Sequence, residues 1–167
     1  MFEVGEYVLK IGNGVCRIDE IGHPDFAVGD KTQMYYYLVP EVKKGSKLYV
    51  PVEGAETKIR DVMTKEEAME LIGQFTRIEP LQVKVEKLRE QEYKEAIRSG
   101  KPHCLVSVLK DLYNRRKARQ DAGKKSTACD EKYFRMAEDE LYTELAFVLD
   151  KDIDDIPVMI SEVFLNQ

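Results

Sequence analysis

The chain has 167 residues, 43% hydrophobic and 34% charged, with a formal net charge of −5. That length and balance suit one medium domain or two small ones whose cores need no disulfide or metal, and they exclude a disordered tail or a protein that coats nucleic acid over its whole surface. No stretch approaches the roughly 20 apolar residues of a membrane span, and Met1-Phe2-Glu3-Val4-Gly5 lacks the basic and apolar regions of a signal peptide, so a cytoplasmic location is expected.

Residues 1–62 read as β structure, because short runs rich in Val, Ile and Tyr alternate with turn residues. Strands are predicted near Tyr7–Ile11, Val15–Ile21, Tyr35–Val39, Leu48–Val52 and Ile59–Val62, with Gly12-Asn13-Gly14 as a tight hairpin turn. Gly22–Gln33, with Pro24, Gly29 and Asp30, reads as a loop. Strands this short and few predict a small SH3-like or Tudor-like β-barrel in place of a large sandwich.

At Thr64 the period changes, and residues 63–167 read as a C-terminal all-α domain, giving an α+β chain overall. Thr64-Lys65-Glu66-Glu67 fits a capping box opening a first helix that ends before Pro80. A second, mostly charged helix is predicted over Val83–Arg98, stopped by Ser99-Gly100, with Leu88, Tyr93, Ala96 and Ile97 as a thin apolar stripe that implies shallow packing. The third begins near Pro102 with one apolar face, then turns basic past Tyr113. Thr127 caps a fourth, with Asp130 at the capping offset, and Asp152–Leu165 forms a fifth.

Enzymatic signals are missing. His23 and His103 are the only histidines, and Cys104 adjoins His103 but adjacent side chains on a helix diverge. Cys16, Cys104 and Cys129 lack paired spacing and read as reduced structural thiols. Asp150, Asp152, Asp154 and Asp155 lack the glycine and terminal glutamate of a calcium loop. No catalytic residue, metal site or cofactor is expected, and a low-weight enzymatic reading would rest on His103 or Cys104.

Two features point to binding. Tyr35-Tyr36-Tyr37 reads either as alternating core and surface positions of one strand or as aromatic contact with a partner, and Lys47-Leu48-Tyr49-Val50-Pro51 reads as an edge strand open to a partner's strand. Between Lys110 and Lys125 lie seven basic residues and two acidic ones, whereas Glu138–Glu162 holds nine acids and one base. A helix C-terminus attracts cations through its dipole, but a run that continues past the helix into Gly123-Lys124-Lys125-Ser126 also suits local phosphate contact.

Across nearly the whole chain the sequence resembles the CarD/CdnL family of bacterial transcription regulators, most of all the Firmicutes versions. The resemblance is carried by Phe2-Glu3-Val4-Gly5-Glu6-Tyr7-Val8, Gly12-Asn13-Gly14-Val15, Tyr49-Val50-Pro51-Val52, Ile59-Arg60-Asp61-Val62, Arg98-Ser99-Gly100, Val108-Leu109-Lys110-Asp111-Leu112-Tyr113 and Asp130-Glu131-Lys132. It implies a first domain, residues 1–62, that adds its edge to the RNA polymerase β subunit through Lys47, Leu48, Tyr49 and Val50. It implies a second domain, residues 63–167, that meets promoter DNA at the upstream edge of the transcription bubble and shifts open-complex stability, acting as a monomer.

The DNA-facing set comprises Arg115, Arg116, Lys117, Arg119, Lys124 and Lys125 from the basic run, with Arg89 and Lys132 added by the resemblance. Relatives carry a wedge tryptophan that enters the minor groove. This chain has no Trp; Glu86 falls at that slot, with Val83 and Val85 as apolar substitutes. Two polymerase-contacting arginines of relatives are replaced here by Pro24 and Tyr49. The rival reading is a protein-interaction module with another partner and no DNA contact.

Overall fold

Apolar side chains at alternate positions build the first unit of the chain, Met1–Val62. The computed structural model describes residues 1–25 and 32–166. Strands β1 (Tyr7–Lys10), β2 (Gly14–Gly22), β3 (Tyr35–Pro40), β4 (Leu48–Pro51) and β5 (Ile59–Asp61) form a curled antiparallel half-barrel of Tudor-like type, in the order β4-β3-β2-β1-β5. Each predicted strand is present within about a residue of its expected ends. Of the expected Gly22–Gln33 loop, Gly29 and Asp30 lie outside the described residues.

In the β1–β2 turn, Gly12 and Gly14 take positive φ (85° and 80°), so the two glycines supply the left-handed conformations and Asn13 needs none. A register shift between Ile18 and Glu20 marks a bulge in β2. Val8, Ile18, Tyr36, Leu38, Val50 and Ile59 form the core, with the Cys16 thiol buried among them and pushed up to about 11 by that burial. Phe2 packs edge-on to Tyr36, ring centroids 6.0 Å apart, and donates its backbone N–H to the Tyr36 hydroxyl at 3.2 Å.

The second unit, Met63–Gln167, contains α1 (Lys65–Gln74), a 3-10 turn (Glu86–Leu88), α2 (Arg89–Arg98), α3 (Pro102–Asp121), α4 (Ala128–Leu149) and α5 (Asp155–Leu165). None of these helices is long and apolar enough to cross a membrane. The capping box at α1 is complete: Thr64 Oγ1 accepts from Glu67 N at 3.1 Å and the Glu67 carboxylate accepts from Thr64 N at 2.8 Å. Thr127 caps α4 through Asp130 N at 3.1 Å, but the Asp130 carboxylate turns away to Arg115. At the end of α2, Gly100 takes φ 66° as the sequence predicts.

Helix α4 touches each of the other four helices. It can do so because Tyr133, Ala137, Leu141, Leu145 and Leu149 recur every fourth residue, and all are buried. Two expectations need correction. The second helix begins at Arg89, not Val83, and Leu88 is 48% exposed, whereas Tyr93 and Ile97 are buried deeply in place of a shallow stripe. The fifth begins at Asp155, not Asp152.

Candidate functional site

The first candidate site is the β4 edge. A bond from Val52 N to Met34 O at 2.9 Å fixes the phase of the β3–β4 ladder, so Tyr36–Val50 and Leu38–Leu48 are its hydrogen-bonded pairs and Tyr37–Tyr49 a close non-bonded one. The Tyr37 and Tyr49 rings accordingly meet edge-on, centroids 4.9 Å apart. By the same phase Tyr49 and Pro51 turn their main chain to the outer side, where proline presents no N–H.

The four residues expected at this edge therefore divide. Lys47 and Tyr49 are exposed and Leu48 is half-buried, but Val50 has its side chain in the core and its main chain on β3. In the tyrosine run the alternating reading holds, since Tyr36 is core while Tyr35 and Tyr37 lie half-buried on the other face. Residue pattern singles out the tyrosine run but not the pairing of Tyr37 with Tyr49, which lies twelve positions on and depends on register.

The second candidate site is the cationic end of α3 and start of α4. Its arginines are spoken for. Arg89 donates Nη1 to Asp111 at 2.7 Å and to the Tyr93 hydroxyl at 2.8 Å, and its Nε and Nη2 reach the two oxygens of Glu86 at 2.8 and 3.0 Å. Arg115 donates Nε to Asp130 at 2.9 Å and lies 3.4 Å from Glu86 Oε1. Arg116 makes a two-pronged pair with Glu131 and stacks over Phe134 at 4.1 Å, and Arg119 Nε closes the turn by bonding Lys125 O at 2.7 Å. Lys110 leaves the cationic face altogether: its ammonium caps the C-terminus of α1 on the carbonyls of Phe75 (2.7 Å), Thr76 (3.3 Å) and Ile78 (2.5 Å).

Four of the expected cations stand in solvent. Lys117, Lys124, Lys125 and Lys132 are exposed and form no ion pair among the described residues, although Lys132 acts by its charge on Glu90 and its Nζ sits 5.3 Å from the Tyr133 ring. Arg135 is exposed one turn along α4 and was not anticipated. Of the apolar substitutes, Val85 is 51% exposed beside Leu88, and Val83 is half-buried.

Side chains beneath this face are tuned by burial and bonding. The Glu86 carboxyl is held below the usual range by its hydrogen bond from Arg89 and by the Arg115 charge, and Glu90 by the Tyr133 hydroxyl at 2.7 Å. Burial, then a carboxylate bond, raises Tyr93 (to Asp111) and Tyr133 (to Glu90, up to about 12); burial and the Glu138 charge push Tyr142 up to about 12. An unfolded tyrosine ionises near pH 10, so these phenols favour the fold fully below about pH 10, and their contribution is lost as pH rises toward 12. Alkaline titration should show a late tyrosinate absorbance phase that coincides with loss of helical circular dichroism; a single phase near pH 10 with the helices intact would contradict it.

His103 Nε2 lies 3.3 Å from Gln74 Oε1, with no bond to Cys104. Cys16, Cys104 and Cys129 are all free, the first buried and the last exposed. Among the described residues, no three His, Cys, Asp or Glu side chains are grouped to hold a metal ion.

Against this geometry, comparison with protein families gives two matches. A model of the CarD-like/TRCF RID domain matches residues 2–63, and one of the CarD C-terminal domain matches residues 74–161. The chain belongs to the CarD family. No curated protein matches it. As a CarD-family protein it is an RNA polymerase-interacting transcription regulator. The CarD-family segment Val108–Tyr113 now has a physical account: Leu109 and Leu112 are core, Lys110 caps α1, Asp111 holds Arg89, and Tyr113 lines an apolar groove of ≈ 570 Å³ with Phe134 and Ile160.

Proposed function

We propose that this cytoplasmic protein, acting as a single copy, docks on the RNA polymerase β subunit through the edge formed by Lys47, Leu48 and Tyr49. Its helical unit then contacts promoter DNA at the upstream bubble edge and modulates open-complex stability. The observation that carries the reading is the exposed lysine set, Lys117, Lys124, Lys125 and Lys132, on a chain that is acidic overall. Docking supplies high effective concentration, so a few weak phosphate contacts suffice, and better contact with opened than with closed DNA is what would shift the equilibrium.

In this reading Arg116 and Arg119 are scaffold: Arg116 ties α3 to α4, and Arg119 shapes the turn that presents Lys124 and Lys125, whereas Arg115 binds α4 through Nε and turns Nη1 toward Glu86. Val85, with Leu88 beside it, is the apolar element most open to act as a wedge, while Val83 is half-buried. The internal pairing of the arginines favours the rival reading, a protein-interaction module without DNA contact. Fluorescence anisotropy with forked promoter DNA in the presence of polymerase separates the two. Changing Lys117, Lys124 and Lys125 to Ala should weaken the complex and flatten its dependence on log salt by about two to three. An unchanged salt slope favours the rival.

A further inference from the structure

One exposed carboxylate of the helical unit, Glu86, lies between two guanidinium groups. Arg89 is anchored on its inner side, Nη1 to Asp111 at 2.7 Å and to Tyr93 at 2.8 Å, which fixes the direction of its other edge. That edge, Nε and Nη2, meets both oxygens of Glu86, and Arg115 Nη1 approaches the same Oε1 at 3.4 Å. Two guanidinium groups thus converge on one paired-oxygen group, the arrangement in which arginine recognises carboxylate and phosphate alike.

The three carboxylates on these arginines are not equivalent. Asp111 and Asp130 are 16% and 8% exposed and sit on long helices, α3 and α4. Glu86 is 68% exposed and opens a three-residue 3-10 turn that follows the exposed Val85 and ends at the exposed Leu88. An exposed ion pair on a short turn is held weakly and is open to exchange.

We propose that Arg89 and Arg115 form a fork for a DNA-backbone phosphate, and that Glu86 is its built-in competitor, which must swing out before the phosphate enters. This deepens, and rests on, the DNA-facing function proposed above. Glu86 then acts as a threshold: diffuse contact with DNA is discouraged by its charge, and only DNA positioned against the helical unit displaces it.

The test is anisotropy of the full chain with forked promoter DNA over a salt series, with polymerase present. Glu86→Gln should bind about threefold to fivefold more tightly, with a salt slope steeper by about one. The gain should vanish in Glu86→Gln combined with Arg89→Lys, which keeps the charge but loses the fork. Glu162→Gln, an equal charge change at an exposed position of α5, controls for net charge. Equal affinity and slope for wild type and Glu86→Gln would overturn the competitor while leaving the DNA-facing reading intact. The same gain in Glu162→Gln, or a gain that persists with Lys at position 89, would overturn the fork. No DNA contact by any variant would end both proposals.

Discussion

Asp111→Ala is expected to cost the helical unit about 3 kcal/mol of stability. Asp111 accepts from Arg89 at 2.7 Å and from the Tyr93 hydroxyl at 2.5 Å, and Tyr93 is fully buried. Truncation would leave a guanidinium that is only 16% exposed short of one counter-charge, and a phenol without its acceptor. Glu86 still holds the outer edge of Arg89, which keeps the cost at about the lower end for a broken buried pair. Asp111→Asn, which keeps an acceptor oxygen, should cost only about 1 kcal/mol. Urea denaturation followed by helical circular dichroism reads both. Equal losses for Ala and Asn would mean that the charge, not the acceptor, matters; a negligible loss for Ala would refute the role assigned to Asp111.

Arg116 provides the contrast. Its pair with Glu131 is 30% and 39% exposed, and exposed pairs are worth about 0–1 kcal/mol. What separates the two positions is enclosure, which sequence does not display. Local signals, by contrast, were readable. Thr64 and Thr127 announced helix starts through side chains that act within three residues, Gly100 announced an end, and short runs of Val, Ile and Tyr between turn residues marked five strands. The start of the second helix was misjudged because the charged run from Val83 carries no stop signal in sequence, whereas Glu86–Leu88 form a 3-10 turn and α2 starts at Arg89.

The candidate site was legible in its lysines and opaque in its arginines, for a physical reason. A lysine on a helix end is exposed by default, so composition alone points to Lys117, Lys124 and Lys125. The arginines take partners 15 to 29 residues away, Asp130, Glu131, Asp111 and Glu86, each on another element. Only the packing of α3 on α4 and α2 brings them together. Lys110 shows the same limit, since it counts as part of a basic run in sequence yet caps α1 across 32 to 35 residues.

For polymerase docking the largest expected effect is at Tyr49. Its ring is 38% exposed and braced edge-on by Tyr37, so it can enter a partner's pocket with little conformational freedom left to lose. Aromatic anchors of this kind dominate interfaces, and Tyr49→Ala should weaken binding to the β subunit about thirtyfold. The strand itself should persist, because Leu48 and Val50 keep their ladder bonds to β3. Tyr37→Ala should weaken binding less, by releasing the brace, and Tyr49→Phe least of all. Calorimetric titration of the full-length variants with the isolated β-subunit lobe gives the ranking. Wild-type affinity in Tyr49→Ala would move the docking surface off this face, and equal losses for Phe and Ala would assign the effect to the hydroxyl in place of the ring.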